Sequence, residues 1–518
     1  MSRIGPATTA APRATNDQAT HIWTPLLLRR ARRSDPLSEQ WIPTLLRRRQ
    51  ITVLGLLMVF LALQFLIPSR LVIGGMGAVG RPSVAMGLLL AFLWFVCAIR
   101  PHQLPHGMAP IRWVVGVFVA LQFLGYAVGI DRGPTPDELS NANMWLIFIV
   151  AMAGVALATS EGLTSRSEVD RLLRTLVAVA AAMAVVGILQ FTGIVDLTQY
   201  ISIPGLRQHA DPLAIGARGD GDIPRVAGTA NHYIEFGVVL ALTLPIALHY
   251  ALFSPTGRTR LWRWVAVGLI GSSIPLSISR SAVLTIVMTM GLLAVVWPWR
   301  QRYNALSIAL VMTVAFHAVN QGVLGTIRAL FLNYENDPSV QNRIGDIDYV
   351  YRLWSQRPWL GRGAGMITPE RYILLDNQFY GTLLAGGILG LVGLVALFVV
   401  PYLMARSIRL RAAEQEARHL GQALAATVPA AFMASGTFDS FSFSTFTGTM
   451  FIVFGTIGAL HRIEGISVHS PLQPAMPGDR FVKSPLMFDI RRRLREGFSG
   501  GPLLTPTPSK GGGRSNSS

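Results

Sequence analysis

Lysine is almost missing from this chain. Lys483 and Lys510 are the only two, so arginine carries nearly all of the positive charge. Cysteine occurs once, as Cys97 inside an apolar run, which excludes an internal disulfide and a cysteine-based metal site. Its simplest role is that of a small core- or lipid-facing residue. Charge of either sign is scarce as well: Asp, Glu, Lys and Arg make up 14% of the residues, against about 25% in a soluble domain. That shortfall excludes an ordinary soluble fold. The first 50 residues hold nine arginines and no long apolar stretch, so we expect no cleavable signal peptide and an uncleaved anchor starting at Ile51. With no His/Cys cluster and no nucleotide-binding glycine loop, the sequence suggests chemistry without a metal or cofactor.

Apolar sequence is what the chain has in quantity. Hydrophobic residues make up 51% of its 518 residues, and mean hydropathy is +0.44. The runs recur at the length a bilayer core requires. They predict an all-α polytopic membrane protein with about a dozen transmembrane helices, near 51–67, 83–99, 112–130, 143–159, 173–194, 233–253, 263–278, 281–299, 305–323, 379–403, 421–438 and 442–460. The net charge of +18 alone suggests nucleic acid, but its distribution argues against that partner. Arginine concentrates in the two tails and in alternate loops, as the positive-inside rule expects. Both termini are therefore placed in the cytoplasm of a multi-pass inner (cytoplasmic) membrane protein. Residues 1–50 and 466–518 read as basic, low-complexity cytoplasmic tails around a helical domain of 51–465. Near Trp41–Arg49 a short surface helix is expected. Either tail suits anionic headgroups or serves only to orient the chain. Two outer segments, about 195–232 and 324–378, are too long to be simple connectors. The second is rich in Tyr and Trp and is expected to form amphipathic helices on the outer mouth of the bundle.

Four clusters carry polar chemistry. Between Arg263 and Trp299 the chain is apolar for 37 residues, about 56 Å as one helix and nearly twice a bilayer core. It must fold back, and Ser277-Ile278-Ser279-Arg280-Ser281 is the apex. The first arm is short, about 24 Å, so Arg280 is expected to sit recessed. A recessed cation is either a ligand site or a snorkelling hairpin anchor. Before the sixth helix lies Pro224-Arg225-Val226-Ala227-Gly228-Thr229-Ala230-Asn231-His232. This is either an anion site at a helix N-terminus or an ordinary capped entry, with Thr229 and Asn231 as capping types and Gly228 allowing close approach. Glu235, one turn further in, would pair with an arginine or hold its proton. The third cluster holds Arg343 and Arg352, then Arg357-Pro358-Trp359-Leu360-Gly361-Arg362-Gly363-Ala364-Gly365. Its glycines suit a phosphate only weakly. Trp354 and Trp359 suit a sugar face or the headgroup level. The fourth is Asp376-Asn377, where Asp376 is either a general base or an N-cap. All four fall on the predicted outer face. Several arginines and a carboxylate there suit a phosphate-bearing substrate, because arginine binds phosphate oxygens bidentately and stays charged.

Taken in order, these segments resemble the O-antigen ligase-like family, which includes O-antigen ligases and Wzy-type polysaccharide polymerases. The resembling parts are Arg225-x-x-Gly-Thr-x-Asn231, Ser277-Ile-Ser-Arg280-Ser, and a large loop from Arg343 through Arg357–Gly365 to Asp376-Asn377. Gly386-Gly-Ile-Leu-Gly390 and Phe438-Asp-Ser-Phe441 follow. The resemblance spans about 180–460. It implies a glycosyltransferase C-like fold and transfer of a glycan from a polyprenyl-diphosphate carrier to a lipid or glycan acceptor outside the membrane. It implies that Arg225, Arg280 and Arg343 hold the diphosphate, with Asn231 and Arg352 beside them. Where the ligases commonly read His-Asn, this chain reads Asp376-Asn377. Asp376 would then deprotonate or orient the acceptor hydroxyl, Asn377 would hold it, and Arg280 would serve the reacting centre. Partners would be the lipid-linked glycan, the acceptor and an envelope biosynthesis complex. Two other classes stay open: a flippase for lipid-linked glycan, disfavoured by few mid-helix charges, and a non-catalytic scaffold subunit.

Overall fold

The computed structural model describes residues 52–100, 109–208, 224–255, 257–319, 321–332, 338–369, 371–466, 470 and 472–473. The tail expected at 1–50, its surface helix, residues 209–223 and nearly all of 466–518 lie outside them. In chain order the elements are α1 (Val53–Leu66), β1 (Leu71–Ile73), α2 (Pro82–Ile99), α3 (Pro110–Ile130), α4 (Pro136–Gly162), α5 (Arg166–Thr192) and β2 (Leu206–Gln208). Then come α6 (Tyr233–Leu252), α7 (Arg258–Ser273), α8 (Arg280–Ala294), α9 (Trp299–Val319), α10 (Gln321–Leu332) and α11 (Pro338–Trp354). The chain closes with α12 (Gln378–Arg411), α13 (Gln415–Ser435) and α14 (Ser444–Ile463). Each predicted apolar run coincides with one of these helices. Seven of them, α2 to α6, α12 and α14, are long and apolar enough to cross a membrane. The others are shorter or more polar at one end. The protein is a helical, multi-pass membrane protein, with one short antiparallel ribbon of β1 and β2 among the described residues.

Its surface is inverted relative to a soluble protein. Phe92 and Phe95 of α2, Trp113 of α3 and Leu306 and Leu310 of α9 all stand exposed. Apolar surface of this extent marks contact with lipid. Within the bundle, small residues replace hydrophobic attraction by close approach. Gly154 of α4 lies on Ala91 of α2, and Gly455 and Gly458 of α14 lie on Thr159 and Ser160 of α4. At the centre runs α6, buried on nearly every face, as a helix that is apolar all round must be. It packs against α5, α7, α8, α13 and α14, so its N-terminal entry is surrounded by the ends of several other elements.

The fold-back predicted between 263 and 299 is present. After α7 the chain makes a turn of 3-10 helix, Pro275–Ser277, and restarts as α8 at Arg280. The long segment from 324 to 378 is built around α10 and α11, as expected for helices there.

Candidate active site

The entry to α6 is held from behind. Gln190 of α5 accepts from the Gly228 N–H at 2.8 Å and donates to the Gly228 carbonyl at 3.2 Å. Gly228 has φ +58°, and a Cβ there would press on Phe236 and the Met183 carbonyl. The close approach that glycine permits is thus to the protein's own core. The cap differs from the expectation too. Thr229 donates its hydroxyl to the Phe65 carbonyl, and His232 caps the helix, its Nδ1 accepting from the Ile234 N–H at 3.3 Å. Asn231 contributes its backbone N–H to Glu235 at 2.9 Å. Glu235 is wholly buried and is held by main-chain donors. Its other oxygen accepts from the N–H groups of Thr445 at 2.6 Å and Phe446 at 3.1 Å, at the start of α14. One carboxylate thus fastens two helix entries through main-chain donors. Arg225 lies over the Tyr233 ring, 4.6 Å from its centre, a cation–π contact.

Beside this entry stands the hairpin turn. Ile278 is the only non-glycine residue with positive φ among the described residues, at 45°. A β-branched residue there costs about 1–2 kcal/mol, so its surroundings must over-determine it. They do: Ile278 is buried against Phe191, Ser277 bonds back to the Ile274 carbonyl at 2.7 Å, and Ser279 caps α8. Both serines brace the turn itself. They fix Arg280, the first residue of α8, half-buried at the turn. The turn abuts α6, because a side chain at Gly237 would overlap Ser277 and Ala282.

The glycine-rich stretch has a structural task. Helix α12 breaks at Gly387, which has φ +61°. The loop before α12 repairs the break: the N–H groups of Arg362 and Gly363 reach the Leu384 and Ala385 carbonyls at 2.8 and 2.9 Å. The Ile388 and Leu389 N–H groups donate to Pro358 and Trp359 at 2.8 and 3.2 Å. A Cβ on Gly361 would stand 2.6 Å from the Ala385 carbonyl and the Gly387 nitrogen. Gly361 and Gly363 wrap a broken helix, which at membrane depth must have its freed backbone groups met by protein, while Gly365 packs on Ala142 and Trp145 of α4. Trp354 donates to the Pro358 carbonyl at 3.1 Å, and Trp359 is exposed.

At the start of α12 the N-cap is Asn377, not Asp376. Its Oδ1 accepts from Phe379 and Tyr380, and its Nδ2 donates to the Gly436 carbonyl at 3.1 Å. Next to it, the Gln378 N–H donates to the Phe438 carbonyl at 3.3 Å, and its Oε1 accepts from the Phe441 N–H at 2.7 Å. This stitching sets the loop 436–443 beside the α12 entry and brings a second acid, Asp439, into the field of the exposed Asp376. Burial pushes the Asp439 carboxyl up to about 6 from the ordinary 3.8; its bond from Ser442 offsets part of this, and the charge of Asp376 adds to it. The same loop reaches the α6 entry: Phe438 packs on Phe443 at 5.5 Å, and Phe443 on His232 at 5.8 Å.

Of the residues singled out in the sequence, the structure therefore gathers Arg225, Asn231, Arg280, Asp376 and Asn377 onto segments meeting at one end of the bundle. Arg352 stands apart, exposed on α11 with its Nε folded back to the Asp348 carbonyl at 3.3 Å. Arg343 belongs to α11, and its side chain lies outside the described residues. Asp439 was legible only as part of Phe438-Asp-Ser-Phe441; an acid between aromatics at a helix–helix turn is the signal. Asp346-Ile347-Asp348 on α11 is an Asp-x-Asp pair, but two residues apart on a helix point to different faces.

Residues 265–395 match the family model described as O-antigen ligase. Members of the O-antigen ligase family transfer or polymerise lipid-linked glycans. The matching stretch runs from α7 into α12 and contains Arg280, Arg343, Arg352, Asp376 and Asn377. Arg225, Asn231 and Asp439 lie outside the ligase match and reach it only through the fold. No curated protein sequence matches the chain.

Proposed function

We propose that this protein is a metal-independent membrane glycosyltransferase of the ligase or polymerase type. It moves a glycan from a polyprenyl diphosphate to a lipid or glycan acceptor on the outer face of the cytoplasmic membrane. The bundle crosses about twelve times, with both termini and the basic tails in the cytoplasm. Arg280 and Arg225, with Arg343 and Asn231, neutralise the diphosphate as it leaves; charge developing on a leaving group is where fixed cations act most. Asp376 takes or orients the acceptor proton, Asn377 caps the helix that follows it, and Arg352 is a peripheral phosphate contact. One observation supports this reading above the others: the hairpin turn bearing Arg280 abuts α6, whose entry carries Arg225 and is joined through Phe443 and Phe438 to the segment bearing Asp376.

The test is complementation in the native membrane. The gene is deleted, and wild type or Arg280→Ala is restored at equal expression. Lipid-diphosphate-linked glycan is expected to accumulate in the deletion and with Arg280→Ala, with transfer reduced about 100-fold, the loss of a charge-assisted contact in the transition state. Accumulation confined to the inner leaflet would favour a flippase. Full restoration by Arg280→Ala would overturn the site and favour a scaffold role.

A further inference from the structure

Gln64, two residues before the end of α1, is 3% exposed. Neither its amide oxygen nor its amide nitrogen has a hydrogen-bond partner among the described residues. A buried amide left in that condition is costly, so such groups are normally met by something. The amide lies against α14, where a Cβ on Gly448 would stand 3.2 Å from Nε2 and 3.3 Å from Cδ. Glycine at 448 makes the room. Gln64 also lines a recess of about 10 Å³, enough for the oxygen of one water.

The recess has polar walls. Ser69, Arg81, Ser83 and Ser444 line it with Gln64, and each is almost fully buried. Arg81 holds the walls together, donating Nε to the Ser69 carbonyl at 3.0 Å and another N–H to the Ser444 hydroxyl. The Ser69 N–H in turn donates to the Thr229 carbonyl at 2.9 Å. Ser444 precedes Thr445, whose N–H is held by Glu235. The recess therefore lies behind the α6 entry, at the same end of the bundle as Arg225 and Arg280.

Charge decides what fits. An anion would face the amide oxygen, and a cation would face the amide nitrogen and Arg81. A hydroxyl satisfies both atoms, donating to the oxygen and accepting from the nitrogen. We propose that this recess is a binding site for a single hydroxyl group, held by the Gln64 amide and supplied by a water or by a sugar ring of the bound glycan. The sugar source rests on the transferase reading; the water source does not.

Full-length wild type and Gln64→Leu in lipid nanodiscs distinguish the cases by thermal unfolding, with and without the glycan lipid extracted from the deletion strain. A lower Tm for the variant without glycan lipid identifies water. An unchanged Tm with loss of the glycan-induced upward shift identifies the sugar. A higher Tm with that shift intact overturns the proposal, because replacing an unmet amide by leucine then relieves the bundle. Should Gln64→Leu fail to fold, a high-resolution map of the wild type decides. Density within hydrogen-bond reach of both amide atoms supports the site, and a dry recess overturns it. A failed transferase reading shows separately, as no glycan-induced shift in wild type, and leaves the water outcome readable.

Discussion

Glu138 and Glu235 are both wholly buried, and both sit in the first turn of a helix. Their surroundings differ. Glu138 collects cations: Arg132 at 2.7 Å and Arg371 at 3.1 Å, with the Tyr372 hydroxyl at 3.4 Å and a capping box with Thr135. Arg132 also donates to the Arg362 carbonyl at 2.6 Å. This cluster pins the loop that repairs the break in α12. Glu235 collects main-chain N–H groups instead, from two helix entries. The contrast sorts the arginines. Those around Glu138 are committed to building the loop. At the α6 entry the carboxylate is met by backbone N–H groups, and Arg225 stacks on the Tyr233 ring.

Removing Glu138 should have the largest effect. Glu138→Ala leaves the nearly buried Arg132 without its acid, and breaking such a pair costs about 3–5 kcal/mol. Thermal unfolding in detergent and the yield of folded protein measure it. Glu235→Gln should cost less, about 1–3 kcal/mol, because an amide nitrogen then faces an N–H in place of one acceptor oxygen. The two effects also differ in kind. Suppression of Glu138→Ala by simultaneous loss of Arg132 would confirm that charge holds that cluster. No arginine substitution should rescue Glu235→Gln, and a rescue by Arg225→Ala would break the distinction.

The helices were legible because membrane sequence is blunt: apolar runs of bilayer length, separated by proline and arginine. The hairpin was legible from length alone, since 37 apolar residues cannot be one span. Partners were not. Glu235 is met by backbone N–H groups, which leave no mark in a sequence, so its bond to residues near 445 could not be read. Gly361, Gly363 and Gly365 suggested phosphate because a glycine run looks the same whether it wraps an anion or lets the backbone lie close to other helices. Only the non-helical Gly387 tells the two apart. Asn377, rather than Asp376, is the cap, its Oδ1 accepting from the Phe379 and Tyr380 N–H groups, a choice of one residue that sequence leaves open.

Asp439 sharpens the comparison at its acidic end, where two carboxylates share one field. With its carboxyl up to about 6, Asp439 keeps a proton in the folded protein that the unfolded chain releases near 3.8. Folded stability from this group is therefore greatest below the unfolded value and falls as pH rises toward about 6. Asp439→Asn should gain stability relative to wild type across that window and hold the gain above it. The same titration bears on the chemistry. Above about 6 Asp439 places a second negative charge beside Asp376, where the acceptor proton would be handled. Transfer measured in membrane vesicles from about pH 5 to about pH 8 should show a step near 6 in wild type. The step should vanish in Asp439→Asn while transfer itself persists. A step that survives the substitution would mean that the second carboxylate shapes the turn and not the base.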